Sequence, residues 1–172
     1  GLGPVRPPAP PGQLCFARAP LSEAAERLAG LLREESADVL LSYDRNGGYG
    51  HPDHVHVHRV GALAATLART PRLLEVAVDR RIARIMAPKG FPVEAVPAPT
   101  HVVDVRAWIE VKRAAIRAHR SQLTSTGWVP RNNEMLTRLP RRVLELALGW
   151  ERYVDPSRPA GTPVLDDVFA DL

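Results

Sequence analysis

The stretch Tyr43-Asp-Arg-Asn-Gly-Gly-Tyr-Gly-His-Pro-Asp-His-Val-His-Val-His58 lies between a short apolar run and a long helical pattern. The run before it, Asp38–Ser42, has the length and composition of a buried strand. Within the stretch, residues 46–48 (Asn-Gly-Gly) indicate a turn, and Pro52 stands where a helix can begin. Apolar residues then recur at helical spacing from about Asp53 to Ala68. The sequence therefore predicts a strand, a loop and a helix, in that order.

The flanking segments extend this rhythm in both directions. A helix that begins near Ser22 is predicted by apolar residues on one face and charged residues on the other. Leu73–Val78 reads as a second strand. Alternating helices and strands are typical of an α/β domain with a parallel sheet, in which ligands gather at the carboxyl ends of strands. The loop after Ser42, which holds the histidines, lies where a site is expected.

Further elements are predicted along the rest of the chain. They are a short helix (Arg80–Met86), a Pro-rich loop (Pro88–Pro99), a short strand (Val102-Val103), a helix capped by Asp104 that runs to about Gln122 with Trp108, Val111, Ala115 and Ile116 inward, helical pieces within Arg131–Leu148 broken at Pro140, and a loop-like tail from Asp155 with a last turn at Asp166–Leu172. The prolines among residues 1–20 predict an extended connector, followed by one domain over residues 21–172.

Composition excludes several classes of protein. The 172 residues suffice for one domain with a core, and the net charge of +4 is spread over many arginines without interleaved aromatic residues. We therefore expect no nucleic-acid partner; a basic binder would show steeply salt-dependent association. The single cysteine, Cys15, precludes an internal disulfide and fits a reducing, cytoplasmic setting. No apolar run has the length of a membrane span.

Four of the six histidines fall within eight residues: His51, His54, His56 and His58. On a helix that starts near Asp53, His54 and His58 lie one turn apart on the same face, and His51 precedes the first turn. Imidazole is a common zinc ligand, and a neighbouring carboxylate often orients it. The alternative is a set of polar side chains at a helix start with no metal. The pattern alone leaves both open.

The exact order of residues from Tyr43 to His58 closely resembles the second signature of the LmbE/PIG-L deacetylases, in particular the actinobacterial branch of the mycothiol pathway. A weaker resemblance extends from Glu23 to Gln122. It implies a Rossmann-like, three-layer α/β domain with a parallel sheet that holds one zinc ion. The implied activity is hydrolysis of an N-acetyl or similar acyl group from an amino-sugar conjugate, such as a GlcNAc-inositol or a mycothiol conjugate.

The resemblance also implies roles for four residues. His54 would be a zinc ligand. His51 would donate to the oxyanion of the tetrahedral intermediate or protonate the leaving amine, and Asp53 would hold His51 in the required tautomer. Tyr49 would reach the same oxyanion through its hydroxyl group.

The first signature of that family, Ala-His-Pro-Asp-Asp-Glu, supplies the other two protein ligands and the general base. In this chain the only His-Pro-Asp is at residues 51–53. We therefore expect an N-terminally truncated deacetylase domain that is inactive alone and pairs with a complementary N-terminal segment or a second copy. The alternatives are a non-catalytic remnant that binds a metal or partner weakly, and a replacement zinc site made by His51, His54 and His58.

Overall fold

The computed structural model describes residues 15–77, 97–120 and 132–172, except for the side chains of Tyr49, Asn132 and Asn133. The helices in these ranges are α1 (Leu21–Glu34), α2 (Gly47–Gly50), α3 (Pro52–Ala68), α4 (Ile109–Ala118), α5 (Asn132–Arg138) and α6 (Arg141–Leu148), with 3-10 turns at Phe16–Arg18 and Arg106–Trp108. The strands are β1 (Val39–Ser42), β2 (Arg72–Val76), β3 (His101–Asp104) and β4 (Trp150–Val154). The predicted helix 80–86 and most of the predicted loop 88–99 lie outside the described residues.

The described strands form one mixed sheet in the order β1-β2-β4-β3. Only β1 and β2 are parallel, and β4 runs antiparallel to both β2 and β3. The prediction of a parallel sheet is therefore wrong beyond the first pair. The cause is β4, a strand that no local pattern predicts. Gly149 ends α6, and the next five residues, Trp150–Val154, pair with both β2 and β3.

Small side chains bring α1 against α3. Ala25 and Ala29 of α1 and Ala64 of α3 have no exposed surface, and Leu32 is also buried. Alanine at facing positions lets two helix backbones approach closely, so the apolar area is buried without voids. This contact fixes the position of α3, the helix that follows the histidine loop.

Gly61 brings α3 equally close to the sheet. A Cβ atom built on Gly61 would lie 2.8 Å from Oγ of Ser42, the last residue of β1. With any larger residue at this position either the Ser42 side chain or the helix would have to shift, because Cβ contacts under 3.0 Å essentially never occur. The C-terminal end of β1 and the middle of α3 are therefore held face to face, and the histidine loop connects the two elements.

The predicted helix after Asp104 begins later and buries a neighbouring face. Asp104 accepts a hydrogen bond from Arg106 N (3.0 Å) at a 3-10 turn, and α4 starts at Ile109. Trp108, predicted to face inward, is 67% exposed, whereas Ile109 is fully buried. Arg113 is buried too, and its guanidinium donates to carbonyl oxygens at the end of α5. The predicted inward face is therefore wrong for Trp108, Val111 and Ala115, which are exposed, whereas Ile116 is half-buried as predicted.

A buried arginine attaches the C-terminal tail to the sheet. Arg72, the first residue of β2, donates to the carbonyl oxygens of Val168 (2.8 Å) and Ala170 (2.6 Å), and its Nε lies 3.6 Å from Asp155 Oδ2. Each of these acceptors is separated from Arg72 by more than eighty residues. The tail is thus part of the same folded unit as β2.

Candidate active site

The loop between β1 and α3 depends on glycines in the left-handed region. Gly47 and Gly48 have φ of +61° and +70°. A Cβ atom on Gly47 would lie 2.5 Å from the backbone N of Val55, whereas one on Gly48 would meet nothing within 4 Å. Asp44 Oδ1 accepts from Gly48 N at 2.7 Å. The predicted turn is confirmed, and it folds α2 tightly onto the first turn of α3.

His54 is oriented by contacts on its ring face and on Nδ1. Its ring stacks on that of Tyr43, with centroids 4.1 Å apart and planes inclined by 8°. Nδ1 lies 3.3 Å from the carbonyl oxygen of Gly47. A carbonyl oxygen only accepts, so Nδ1 carries the proton and Nε2 carries the lone pair. A histidine that binds zinc has this arrangement, in which the second ring nitrogen donates to a carbonyl or carboxylate. His54 therefore fits the predicted role of ligand.

His51 has the opposite tautomer. It is the N-cap residue of α3, and its Nδ1 accepts from Asp53 N at 3.2 Å. In the neutral ring this places the proton on Nε2. The backbone N–H of Asp53, and not its carboxylate, favours this tautomer, because a carboxylate beside Nδ1 favours the Nδ1–H form and Oδ2 lies 3.8 Å away. That carboxylate is close enough to stabilise an imidazolium.

The rings of His51 and His54 lie side by side, with centroids 4.6 Å apart and planes inclined by 32°. The Nδ1 contacts thus favour the Nε2–H tautomer in the neutral ring of His51 and the Nδ1–H tautomer in that of its neighbour His54. A hydrogen-bond donor beside a group able to bind a metal suits a reaction in which negative charge develops on an oxygen.

Residues of the predicted connector contact this site, which the sequence analysis did not anticipate. Ala17 N donates to Asp53 Oδ1 at 3.2 Å, and the ring edge of Phe16 meets the ring of buried His56 at 4.9 Å. A Pro-rich segment gives no periodic signal from which such a contact could be inferred. The turn Phe16–Arg18 therefore helps to orient the Asp53 carboxylate.

His58 faces away from His51, toward the sheet. Its Nδ1 lies 3.2 Å from the carbonyl oxygen of Tyr43 and 3.3 Å from Glu75 Oε1. Burial raises the pKa of Glu75 above its ordinary value, and the nearby His58 partly opposes this rise. Within the ranges 15–77, 97–120 and 132–172, no three His, Cys, Asp or Glu side chains converge as a metal ligand set. The alternative site made by His51, His54 and His58 is not formed.

Tyr49 belongs to α2, between the turn glycines and His51. Its side chain lies outside what the structure describes, so its predicted hydroxyl contact stays a prediction.

Known proteins similar to this chain are bacterial deacetylases. The 1D-myo-inositol 2-acetamido-2-deoxy-alpha-D-glucopyranoside deacetylase of Thermomonospora curvata is 34% identical over 179 aligned residues, which cover 88% of this chain and 59% of that protein. The chain is homologous to these enzymes. The deacetylases of the same name from Acidothermus cellulolyticus and Saccharomonospora viridis are 32% and 37% identical and are covered over 59% and 47% of their lengths.

The chain thus spans about half the length of the curated relatives it matches. No family model matches the sequence. Among the helices of the described residues, none is long and apolar enough to cross a membrane.

Proposed function

We propose that this chain is part of a metal-dependent hydrolase that removes the N-acetyl group from an amino-sugar conjugate of the GlcNAc-inositol type. One observation carries the proposal. Over the region similar to the Thermomonospora curvata deacetylase, the rings of His51 and His54 lie side by side with centroids 4.6 Å apart, and their Nδ1 contacts favour opposite neutral tautomers. These are the donor and the ligand that amide hydrolysis at a zinc ion requires.

In this proposal His54 holds the zinc ion through Nε2, as its Nδ1–H bond to the Gly47 carbonyl favours. When bound, zinc lowers the pKa of a water molecule and polarises the amide carbonyl group. A catalytic zinc takes three protein ligands. The motif that supplies two of them and the base in the LmbE/PIG-L family is not in this sequence. We therefore propose that these 172 residues need a segment with that motif to be active.

The reaction needs proton donors at two stages. The water oxygen bonds to the acetyl carbon and gives a proton to a carboxylate of the complementary segment. The tetrahedral oxyanion accepts a hydrogen bond from His51 Nε2–H, and the C–N bond then breaks as the sugar nitrogen takes up a proton. The products are acetate and the free amino sugar. His51 delivers this proton as an imidazolium that has taken its second proton at Nδ1 from solvent, and it is left neutral; Asp53 Oδ2, 3.8 Å from Nδ1, stabilises the imidazolium charge.

The Tyr49 hydroxyl is proposed as a second donor to the same oxyanion. This role comes from the resemblance of the loop to the family signature. The pH profile of the rate distinguishes the role of Tyr49 from that of His51. Tyr49→Phe removes a hydrogen-bond donor and leaves His51 as the acid, so the rate falls while the shape of the pH profile stays the same.

The test is acetate release from N-acetylglucosaminyl-inositol. The chain is assayed alone and after fusion to the part of the Thermomonospora curvata deacetylase that the match does not cover. The proposal predicts release by the fusion only, abolished by His54→Ala and kept in Arg59→Ala, an exposed position on the same helix. A folded fusion without activity would favour the non-catalytic remnant, and equal activity with His54→Ala would overturn the proposed role of this loop.

A further inference from the structure

We propose that His58 and Glu75 form a positioning pair, which holds the ring of His54 in the orientation that a metal ligand needs. The inference rests on the proposed function for the role of His54, but the contacts that carry it are independent of any metal. The resemblance to the deacetylases assigns no role to His58 or to Glu75.

His58 contacts two acceptors through one ring nitrogen, Nδ1. Nδ1 lies 3.2 Å from the Tyr43 carbonyl oxygen and 3.3 Å from Glu75 Oε1. The Tyr43 carbonyl and the ionised Glu75 carboxylate can only accept hydrogen bonds. The proton of the neutral His58 ring therefore sits on Nδ1, where the two oxygens share it. The ring thereby ties helix α3 to the first residue after β1 and to β2. Ser42 and Glu75 are register partners in the parallel pair, so the three attachment points are neighbours.

Tyr43 links the two histidines, because it contacts both His58 and His54. Its carbonyl oxygen accepts from His58, and its ring stacks on His54 at 4.1 Å with the planes inclined by only 8°. The hydrogen bond from His58 holds the Tyr43 backbone in place, and the Tyr43 ring is attached to that backbone. The position of this ring orients the stacked His54 imidazole, and so directs His54 Nδ1 toward the Gly47 carbonyl oxygen.

The burial of the His58 and Glu75 side chains supports a positioning role for the pair. The side chains of His58 and Glu75 are 20% and 15% exposed, so neither is a freely solvated surface group. Burying a carboxylate is costly unless it is paired and hydrogen-bonded. Burial accordingly raises the pKa of Glu75. A leucine at either position would fill the same space, so packing alone does not require this pair.

The experiment uses the 172-residue chain with ¹⁵N-labelled histidines. Long-range ¹H–¹⁵N spectra of this chain report which nitrogen of His54 carries the proton without any metal, and titration of the fusion with the Thermomonospora curvata segment then reports the affinity of Zn²⁺ for His54 Nε2. The variants are His58→Leu, which removes the donor, and His58→Asn, whose side-chain amide keeps a donor near the position of Nδ1. Glu75→Leu and Glu75→Gln form the matching pair at the other end, and circular dichroism checks that each variant folds.

We expect wild type, His58→Asn and Glu75→Gln to keep the Nδ1–H form of His54. In His58→Leu and Glu75→Leu both tautomers are populated, and Zn²⁺ affinity at His54 falls about tenfold or more, the usual effect of losing a group that orients a ligand. An unchanged His54 tautomer in folded leucine variants overturns the inference, as does equal loss in the asparagine and leucine variants. If the tautomers respond as expected but Zn²⁺ never reaches His54 in the fusion of the preceding section, the positioning stands and the proposed function fails.

Discussion

Gly47→Ala is the substitution that most sharply tests the geometry of the histidine loop. Gly47 has φ of +61°, and an added Cβ would lie 2.5 Å from the backbone N of Val55 and 2.9 Å from the backbone C of His54. These are backbone atoms of α3, which cannot rotate away as a side chain can. Either α2 or the first turn of α3 must move. The Gly47 carbonyl, which accepts from His54 Nδ1, moves with it.

Gly48→Ala is the matched control. Gly48 has a similar φ of +70°, but its Cβ would meet nothing within 4 Å. Both variants bear the left-handed penalty of about 1–2 kcal/mol, which cancels in their difference. What remains is the steric cost of overpacking, about 1–3 kcal/mol. We expect Gly47→Ala to be less stable than Gly48→Ala by that amount.

Urea denaturation monitored by circular dichroism measures this difference, because a change in midpoint at constant slope is a change in stability. The histidine ¹⁵N spectra supply a second reading, in which only Gly47→Ala disturbs the His54 tautomer. Equal unfolding free energies for the two variants would refute the close contact between α2 and α3.

Three further predictions concern the frame around the site. Gly61→Ala places a Cβ 2.8 Å from Ser42 Oγ and should cost about 1–3 kcal/mol in urea unfolding, with a smaller cost in a Ser42→Ala background; equal costs would contradict the contact. Arg72→Met leaves Asp155 buried without its cation and should cost about 3–5 kcal/mol, with faster proteolysis of the C-terminal tail; wild-type stability would contradict this. Burial lowers the pKa of His101 below its ordinary 6.5, so the unfolded state binds more protons and stability falls as pH drops below about 6.5. Unfolding free energies at pH 7 and pH 5 should differ less in His101→Asn than in wild type, and equal differences would contradict the assignment.

Local patterns predicted the part of the fold around the site. The strand before Ser42, the glycine turn, the helix from Pro52 to Ala68 and the break at Pro140 are all confirmed. Each depends on residues close in sequence: an apolar run, glycines that permit positive φ, and a proline that starts or ends a helix. Such signals do not require knowledge of the partner segment.

The errors came from contacts between distant segments. No local sequence signal predicts that Trp150–Val154 inserts between β2 and β3, because antiparallel pairing depends on the partner strands. In α4 the apolar residues allow two neighbouring faces, and burial of Arg113 by carbonyls of a later segment selects the face with Ile109. The contact of Ala17 with Asp53 spans 36 residues and has no sequence signature.

The resemblance of the loop predicted roles for Tyr49, His51, Asp53 and His54, and the structure shows how the last three side chains are held. It brings His51 and His54 together and gives their rings opposite tautomers. The role of the Asp53 backbone N–H in setting the His51 tautomer could not be read from the motif, since it depends on the N-cap geometry of α3. The contacts of His58 depend on the register of β1 with β2.

X-ray absorption at the zinc edge tests the central claim most directly: that this loop supplies one metal ligand, His54, and one proton donor, His51. The sample is the zinc-loaded fusion with the part of the Thermomonospora curvata deacetylase that the match does not cover. We predict that His54→Ala removes one imidazole from the zinc coordination shell, whereas His51→Ala removes none and abolishes acetate release. An unchanged shell in His54→Ala, or loss of an imidazole in His51→Ala, would contradict the account.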